Sequence, residues 1–277
     1  MTKKEKHGFS SLITIKQSKL DKAQKYGYLS AGIHFAPHTM SGRNVCPGAS
    51  KGCIEACLTF SGHGGIGLDD NNLNDCQRTR IARTRLFFED KQAFWDLFHR
   101  EMKSFIRKAK KRGLKPTFRP NLTSDIVWET KKEWNLKTMF EAYPDVQFMD
   151  YTALFFRFGD WHEQKIPPNY HLTFSLKEDN EDLAREVLAR GHNVAGVLRV
   201  KKGEPFPATY WGAPVIDGDK HDLRFLDKKT KTWQGKSLPE VTTWPEFSES
   251  KGCFVALRPK GRKGLDDESG FVREVTA

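Results

Sequence analysis

Three cysteines in the stretch NVCPGASKGCIEACLTFSGHGG, Cys46, Cys53 and Cys57, follow a C-x6-C-x3-C spacing, and Cys76 follows after eighteen intervening residues. Thiolates on one loop can converge on a single ion or cluster, and Pro47, Gly48, Gly52 and Gly62 let the backbone turn inward. Two centres suit that donor set. Four thiolates make a structural zinc clamp, and three or four hold an iron–sulfur cluster. The bland alternative is that one or two are small buried hydrophobes with nothing bound, free cysteine being among the most buried residue types. Cys253 falls inside a predicted strand and belongs with the core.

Other polar groups cluster just after predicted strands, where α/β proteins gather their ligands. RPNLTSDIVWE carries Asn121, Ser124 and Asp125 as cofactor-binding candidates, with Asp125 and Glu129 as catalytic ones. Its plain structural reading is a turn at Ser124 and Asp125 and a solvated carboxylate at Glu129. VIDGDKHD puts Asp217, Asp219, His221 and Asp222 in one loop. Three such carboxylates can hold Mg2+ or Mn2+ for phosphoryl chemistry, or simply form an Asp-Gly turn. RTRIARTR carries Arg78, Arg80, Arg83 and Arg85, a cationic helix that suits nucleic-acid phosphates or an ordinary solvated face. Tyr151, Phe155 and Phe156 can stack a base, although aromatics of this kind are more often core.

The elements that must position these groups are legible. Strands are expected at YGYLSAGIHFAP (26–37), PTFRPN (116–121), VQFMDYT (146–152), YHLTFSL (170–176), NVAGVLRV (193–200), APVID (213–217) and CFVALRP (253–259). A basic helix is expected over 75–85, and a longer one carries Phe94, Trp95, Phe98, Phe105 and Ile106 before stopping at Gly113. Capping boxes are read at Thr130 with Glu133 and at Ser175 with Glu178, each starting a helix. Alternating strands and helices predict an α/β fold with about six to seven mostly parallel strands, a full or partial (β/α) barrel in preference to a doubly wound sheet. The expected organisation is a single domain over 1–277, with a barrel core at 26–200, the cysteine loop at 38–76, and residues 201–277 completing the barrel.

Composition narrows the setting. A chain of 277 residues can bury a core without disulfides, and an odd five cysteines in a reducing compartment favour metal ligation over pairing. The basic N-terminus MTKKEKHGFSS has no apolar run behind it, and no window is long enough to span a bilayer, so no membrane association is expected. With 46 Lys and Arg against 35 Asp and Glu, the formal charge of +11 suits a polyanion such as nucleic acid. No phosphate-cradling G-x-x-x-x-G-K-[ST], dinucleotide G-x-G-x-x-G or nucleophile-elbow G-x-S-x-G is present, which argues against ATPase, dinucleotide-binding and serine-hydrolase functions.

A cysteine loop directly after the first strand of a (β/α) barrel resembles the radical S-adenosylmethionine (SAM) enzymes. In those, three cysteines hold a [4Fe–4S] cluster and the open iron takes the SAM amino-carboxylate; the usual spacing there is C-x3-C-x2-C. Nearly the whole chain also resembles a family of phage and prophage proteins, through SGRNVCPGASKGCIEACL, RPNLTSDIVWE, VQFMDYT, NYHLTFS, GHNVAG, VIDGDKHDLRF and the late GFV. That resemblance implies a phage-type setting, in the cytoplasm of a bacterial host, and a shared cysteine site. The leading expectation is a radical-SAM-like iron–sulfur enzyme acting on nucleic acid or nucleotides, with Cys46, Cys53, Cys57 and Cys76 as the candidate ligands. A zinc-stabilised nucleic-acid-binding protein is the alternative, and a divalent-metal phosphoesterase or nuclease using Asp217, Asp219 and Asp222 the third.

Overall fold

Strands form where aromatic and β-branched residues run between glycines and prolines, and the computed structural model places nine of them among the described residues. It describes residues 3–15, 18–60, 62–71, 73–133, 136–227 and 252–275. The chain divides into two units: Met1–Pro47 with Cys57–Asp150, and Gly48–Ala56 with Tyr151–Ala277.

In the first unit β1 (Tyr28–Gly32) pairs in parallel with β2 (Lys115–Arg119), and β2 pairs in parallel with β3 (Gln147–Thr152), the strand on which the chain leaves this unit. Helix Lys91–Lys111 covers β2. Its Phe94, Phe98, Met102 and Phe105 recur at helical spacing and are fully buried, and Phe98 and Phe105 meet Phe118 of β2 at 5.7 and 6.4 Å between ring centres. Each such side chain contributes roughly 1.5–3 kcal/mol on leaving water. The helix stops where expected: Gly113 takes a φ of +66°, which only glycine adopts without strain.

The second unit orders its strands β4 (Tyr170–Ser175), β5 (Val194–Leu198), β8 (Phe254–Leu257), β7 (Ala213–Asp217) and β6 (Thr209–Tyr210), with β9 (Val272–Arg273) also on β5. Every one of these pairings is parallel except β6 with β7. Helix Glu181–Ala189 packs Ala184, Val187 and Leu188 into the core beside β4 and β5. The result is a mixed α/β protein with mostly parallel strands, as the sequence implies, and the two extra strands are two residues long. Among the described residues no helix is long and apolar enough to cross a membrane.

Neither expected capping box forms. Thr130 ends a single 3-10 turn, Trp128–Thr130, because Glu133 is buried against His99 at 2.7 Å. The box forms instead at Thr138 with Glu141, opening the short helix Met139–Ala142. Glu178 does not cap either. Its carboxylate accepts the Ser50 hydroxyl and the Gly52 amide, both at 2.7 Å, and the helix begins later, behind Asn180.

Candidate functional site

The loop after β1 is fastened to the loop after β2. Ile33 donates its amide to Arg119 O at 3.2 Å, Leu122 donates to Ile33 O at 3.1 Å, and the Thr123 hydroxyl donates to Phe35 O at 2.6 Å. Further on, the Asp125 amide donates to Val45 O at 2.8 Å. Cys46 therefore sits over the RPNLTSD turn: its Sγ accepts the His38 amide at 3.3 Å and lies 3.9 Å from Thr123 O. Burial pushes this thiol up to about 11; the His38 amide opposes the rise, and negative charge on Cys57 and Asp125 adds to it. Charge on Cys57 and charge on Asp125 thus each reach Cys46.

Cys57 opens the turn Cys57–Phe60, and the helix Asp75–Glu89 anchors the loop that runs on from that turn. Asn74 caps that helix and donates to Ile66 O at 2.9 Å, and Gln77 donates to Thr59 O at 3.0 Å and Gly64 O at 2.7 Å. Arg80 donates to Thr59 O at 3.1 Å and to its hydroxyl at 2.6 Å. Burial lowers the pKa of this guanidinium, and the thiolate charges of Cys76 and Cys57 act against the lowering. Cys76, exposed in the first helical turn, therefore shares Arg80 with Cys57.

The four arginines of this helix have separate fates. Arg83 is buried, its Nε and Nη2 donating to Ser11 O at 3.0 and 2.6 Å. Arg78 pairs at the surface with Asp69, and Arg85 is exposed. The charges of Arg80, Arg83 and Arg119 of β2 all act on His34. Burial, then the charge of these three arginines, lowers the His34 imidazole to about 3, so it is neutral at physiological pH. Arg119 lies 3.9 Å from Asp150, itself buried.

Asn121 is a structural centre. Its Oδ1 accepts the Ser124 hydroxyl (2.7 Å), the Ile126 amide (3.0 Å) and Trp128 Nε1 (3.0 Å), and its Nδ2 donates to Ile126 O and Asp150, both at 3.0 Å. The side-chain amide is fully used inside the protein, so Asn121 shapes the turn that carries Ser124 and buried Asp125. Glu129 is half-buried on the following turn.

Cys53 belongs to the second unit, where Ser50 caps the helix Lys51–Glu55 and accepts the Cys53 amide at 3.3 Å. A Cβ at Gly52 would displace the Ser269 hydroxyl and meet the Glu178 carboxylate at 2.9 Å. In the same unit the VIDGDKHD carboxylates diverge. Asp219 is 2.9 Å from Lys260 and 3.4 Å from Arg258, Asp217 accepts the Asp219 amide at 2.9 Å, and buried Asp222 accepts the Tyr151 hydroxyl at 3.0 Å. Phe155 packs on Phe174 and Phe156 is 52% exposed. Among the described residues no three or more His, Cys, Asp or Glu side chains are grouped as metal ligands, and none of the five cysteines is in a disulfide.

Sequence reasoning missed His34, Arg119 and Asp150. The signal is period two: Ser30, Gly32 and His34 continue one face of β1, beside Thr117 and Arg119 of β2, a polar row within strands that otherwise read as core.

These features define a mixed α/β protein whose cysteines form no disulfide and whose first strands end beside a half-buried histidine under the charge of three arginines. The chain belongs to the gene product 88 family, a phage-type family whose model matches residues 10–252. No curated protein and no solved structure matches it.

Proposed function

We propose that this is a phage-type metalloprotein whose cysteine loop holds an iron–sulfur cluster, and that it works as a radical-SAM-like enzyme on nucleic acid or nucleotides. The observation that carries the reading is the seat of Cys46 over the turn after β2, its Sγ 3.9 Å from Thr123 O and the Asp125 amide bonded to Val45 O, where α/β proteins hold their ligands. The parallel pairing of β1 to β3, and of β4, β5, β8 and β7, supports a full or partial (β/α) barrel as its frame. The donor types suit the group: Cys46, Cys53 and Cys57 are each half-buried and in no disulfide, and thiolates are soft ligands of the kind clusters take. When bound, a cluster with an open iron supplies one-electron chemistry to a sulfonium cofactor. The protein's part is to release the Cys46 proton on ligation, beside a neutral His34.

A second reading has its own observation. Arg80 feels the charge of both Cys57 and Cys76, so the fourth thiol is in the neighbourhood, as a closed four-thiolate zinc clamp requires. Anaerobic purification followed by iron, sulfide and zinc analysis separates the two. The first expects about four irons and four sulfides per chain, lost in Cys46→Ser. One zinc without sulfide overturns it in favour of the clamp, and Cys76→Ala then releases that zinc.

A further inference from the structure

The far half of the helix Lys91–Lys111 carries a concentration of charge that its surroundings do not answer. Residues 100–115, REMKSFIRKAKKRGLK, hold eight Lys and Arg against one acid, Glu101. That acid is engaged by the N-terminal segment: its Oε2 accepts the Ser11 hydroxyl and the Leu12 amide at 3.0 Å and the Ile13 amide at 2.8 Å. On a helix of 3.6 residues per turn, Arg100, Lys103, Arg107, Lys110 and Lys111 fall on one exposed stripe about 100° wide and about 16 Å long. It lies opposite buried Met102, Phe105 and Ala109, on the face turned away from β2. Toward the N-terminus the same face passes to exposed Asp96, which confines the charge to the far half. Arg112 and Lys115 continue it past the helix end.

Two ordinary reasons for such charge do not account for it. The helix dipole asks for only about half a positive charge at its C-terminus. Ion pairing fails as well: among the described residues none of the eight cations is in an ion pair, whereas exposed Arg185 and Arg190 pair with Glu181 and Glu186. Like charges three or four residues apart destabilise a helix, and Lys103 with Arg107, Arg107 with Lys111 and Lys108 with Lys111 are such pairs. The stripe works against the helix that carries it, and an anionic partner relieves that repulsion. The kind of partner follows from what the stripe lacks. A helix held at a membrane surface buries an apolar face in lipid, and here that face is spent on β2. Single strands are gripped by stacking on aromatic side chains, and among the described residues no exposed aromatic lies on this helix. Phosphates of a duplex need only cations along a line.

We propose that the stripe Arg100, Lys103, Arg107, Lys110 and Lys111 is a docking surface for the phosphate backbone of a nucleic-acid duplex, bound without regard to sequence. The surface rests on the nucleic-acid reading above and needs no metal centre. The test is fluorescence anisotropy of the full chain on a labelled DNA duplex between about 50 and 200 mM salt. The triple variant Lys103→Gln, Arg107→Gln, Lys111→Gln keeps good helix formers at exposed positions. It is expected to weaken binding about tenfold or more, to lower the salt slope by about two to three, and to leave the melting temperature unchanged or higher. Arg100→Gln, Lys110→Gln serves if the triple variant does not fold, with a slope lowered by about two. The control Lys131→Gln, Lys201→Gln, Lys202→Gln removes three exposed charges elsewhere and is expected to bind within about threefold of the wild type. Equal weakening by the control and the triple variant overturns the proposal, because binding then follows net charge alone. So does a triple variant that keeps the duplex but loses vesicles of phosphatidylserine and phosphatidylcholine, which assigns the stripe to a membrane surface. A wild type that binds and a triple variant that binds equally well overturn this surface and leave the nucleic-acid reading standing, whereas a wild type that binds no duplex at about 50 mM salt overturns both.

Discussion

His34 makes a pH dependence that its own chemistry would not suggest. Burial and the charges of Arg80, Arg83 and Arg119 lower its pKa to about 3, against 6.5 for the same group in an unfolded chain. Between those values the unfolded chain binds a proton that the folded chain refuses, so acid favours unfolding. This contribution is complete above about pH 6.5 and is lost as pH falls toward 3. His221, lowered to about 4 by burial and then by Arg224, acts in the same direction. His34→Gln is expected to take about 1.4 kcal/mol per pH unit from the slope of stability between about pH 6 and pH 4, read by urea unfolding, and to leave the His221 share. Asn121 has a different leverage: Asn121→Ala strands Trp128 Nε1, both backbone groups of Ile126 and one oxygen of Asp150. A loss of at least about 3 kcal/mol in urea is expected, and a loss below about 1 kcal/mol would mean that the turn does not depend on it. The asparagine was legible as a site residue because it follows a strand. That its amide is consumed by its own turn was not, because the partners lie up to 29 residues away in Asp150.

At the scale of elements, the strands were legible from alternation and punctuation, because both signals are local. All seven expected strands are present, and Gly113 ends the long helix as read. The capping boxes were misplaced for a tertiary reason. The spacing of a hydroxyl and a carboxylate is local, but Glu133 is drawn to His99 and Glu178 to Ser50 and Gly52, and a carboxylate so engaged cannot turn back to cap. The helix Asp75–Glu89 shows the same limit. Four arginines at near-regular spacing read as one cationic rod, whereas the structure buries Arg83 on Ser11 O and leaves Arg85 in solvent. Arg83→Ala is therefore expected to cost about 2–4 kcal/mol, through loss of two charge-assisted hydrogen bonds and of the contact with the Phe9 ring. Arg85→Ala is expected to stay within about 0.5 kcal/mol in the same urea titration. Equal effects would mean that the helix face is not divided in this way.

At the scale of the whole molecule, the formal charge of +11 over 277 residues is the property that bears on a polyanionic partner. Arg80 and Arg83 cannot serve it from the surface, because their guanidinium groups are spent on Thr59 and Ser11. Arg78 and Arg85 can. Arg78 is held by Asp69 and Asp75 in exposed ion pairs, a kind worth little in water and readily exchanged for phosphate. If the protein meets nucleic acid through this helix, each contact releases counterions, and the logarithm of affinity falls linearly with the logarithm of salt by about 0.9 per phosphate on duplex DNA. The double variant Arg78→Ala, Arg85→Ala is then expected to weaken binding to duplexes of unrelated sequence to the same extent and to reduce the salt slope by about two. The measurement is fluorescence anisotropy on two duplexes between about 50 and 200 mM salt. A wild-type affinity that does not fall over that range argues against phosphate contact anywhere on the chain. A slope that falls in the wild type and is unchanged in the double variant assigns the contact to other lysines and arginines, because the charge that matters is then the charge these two do not carry.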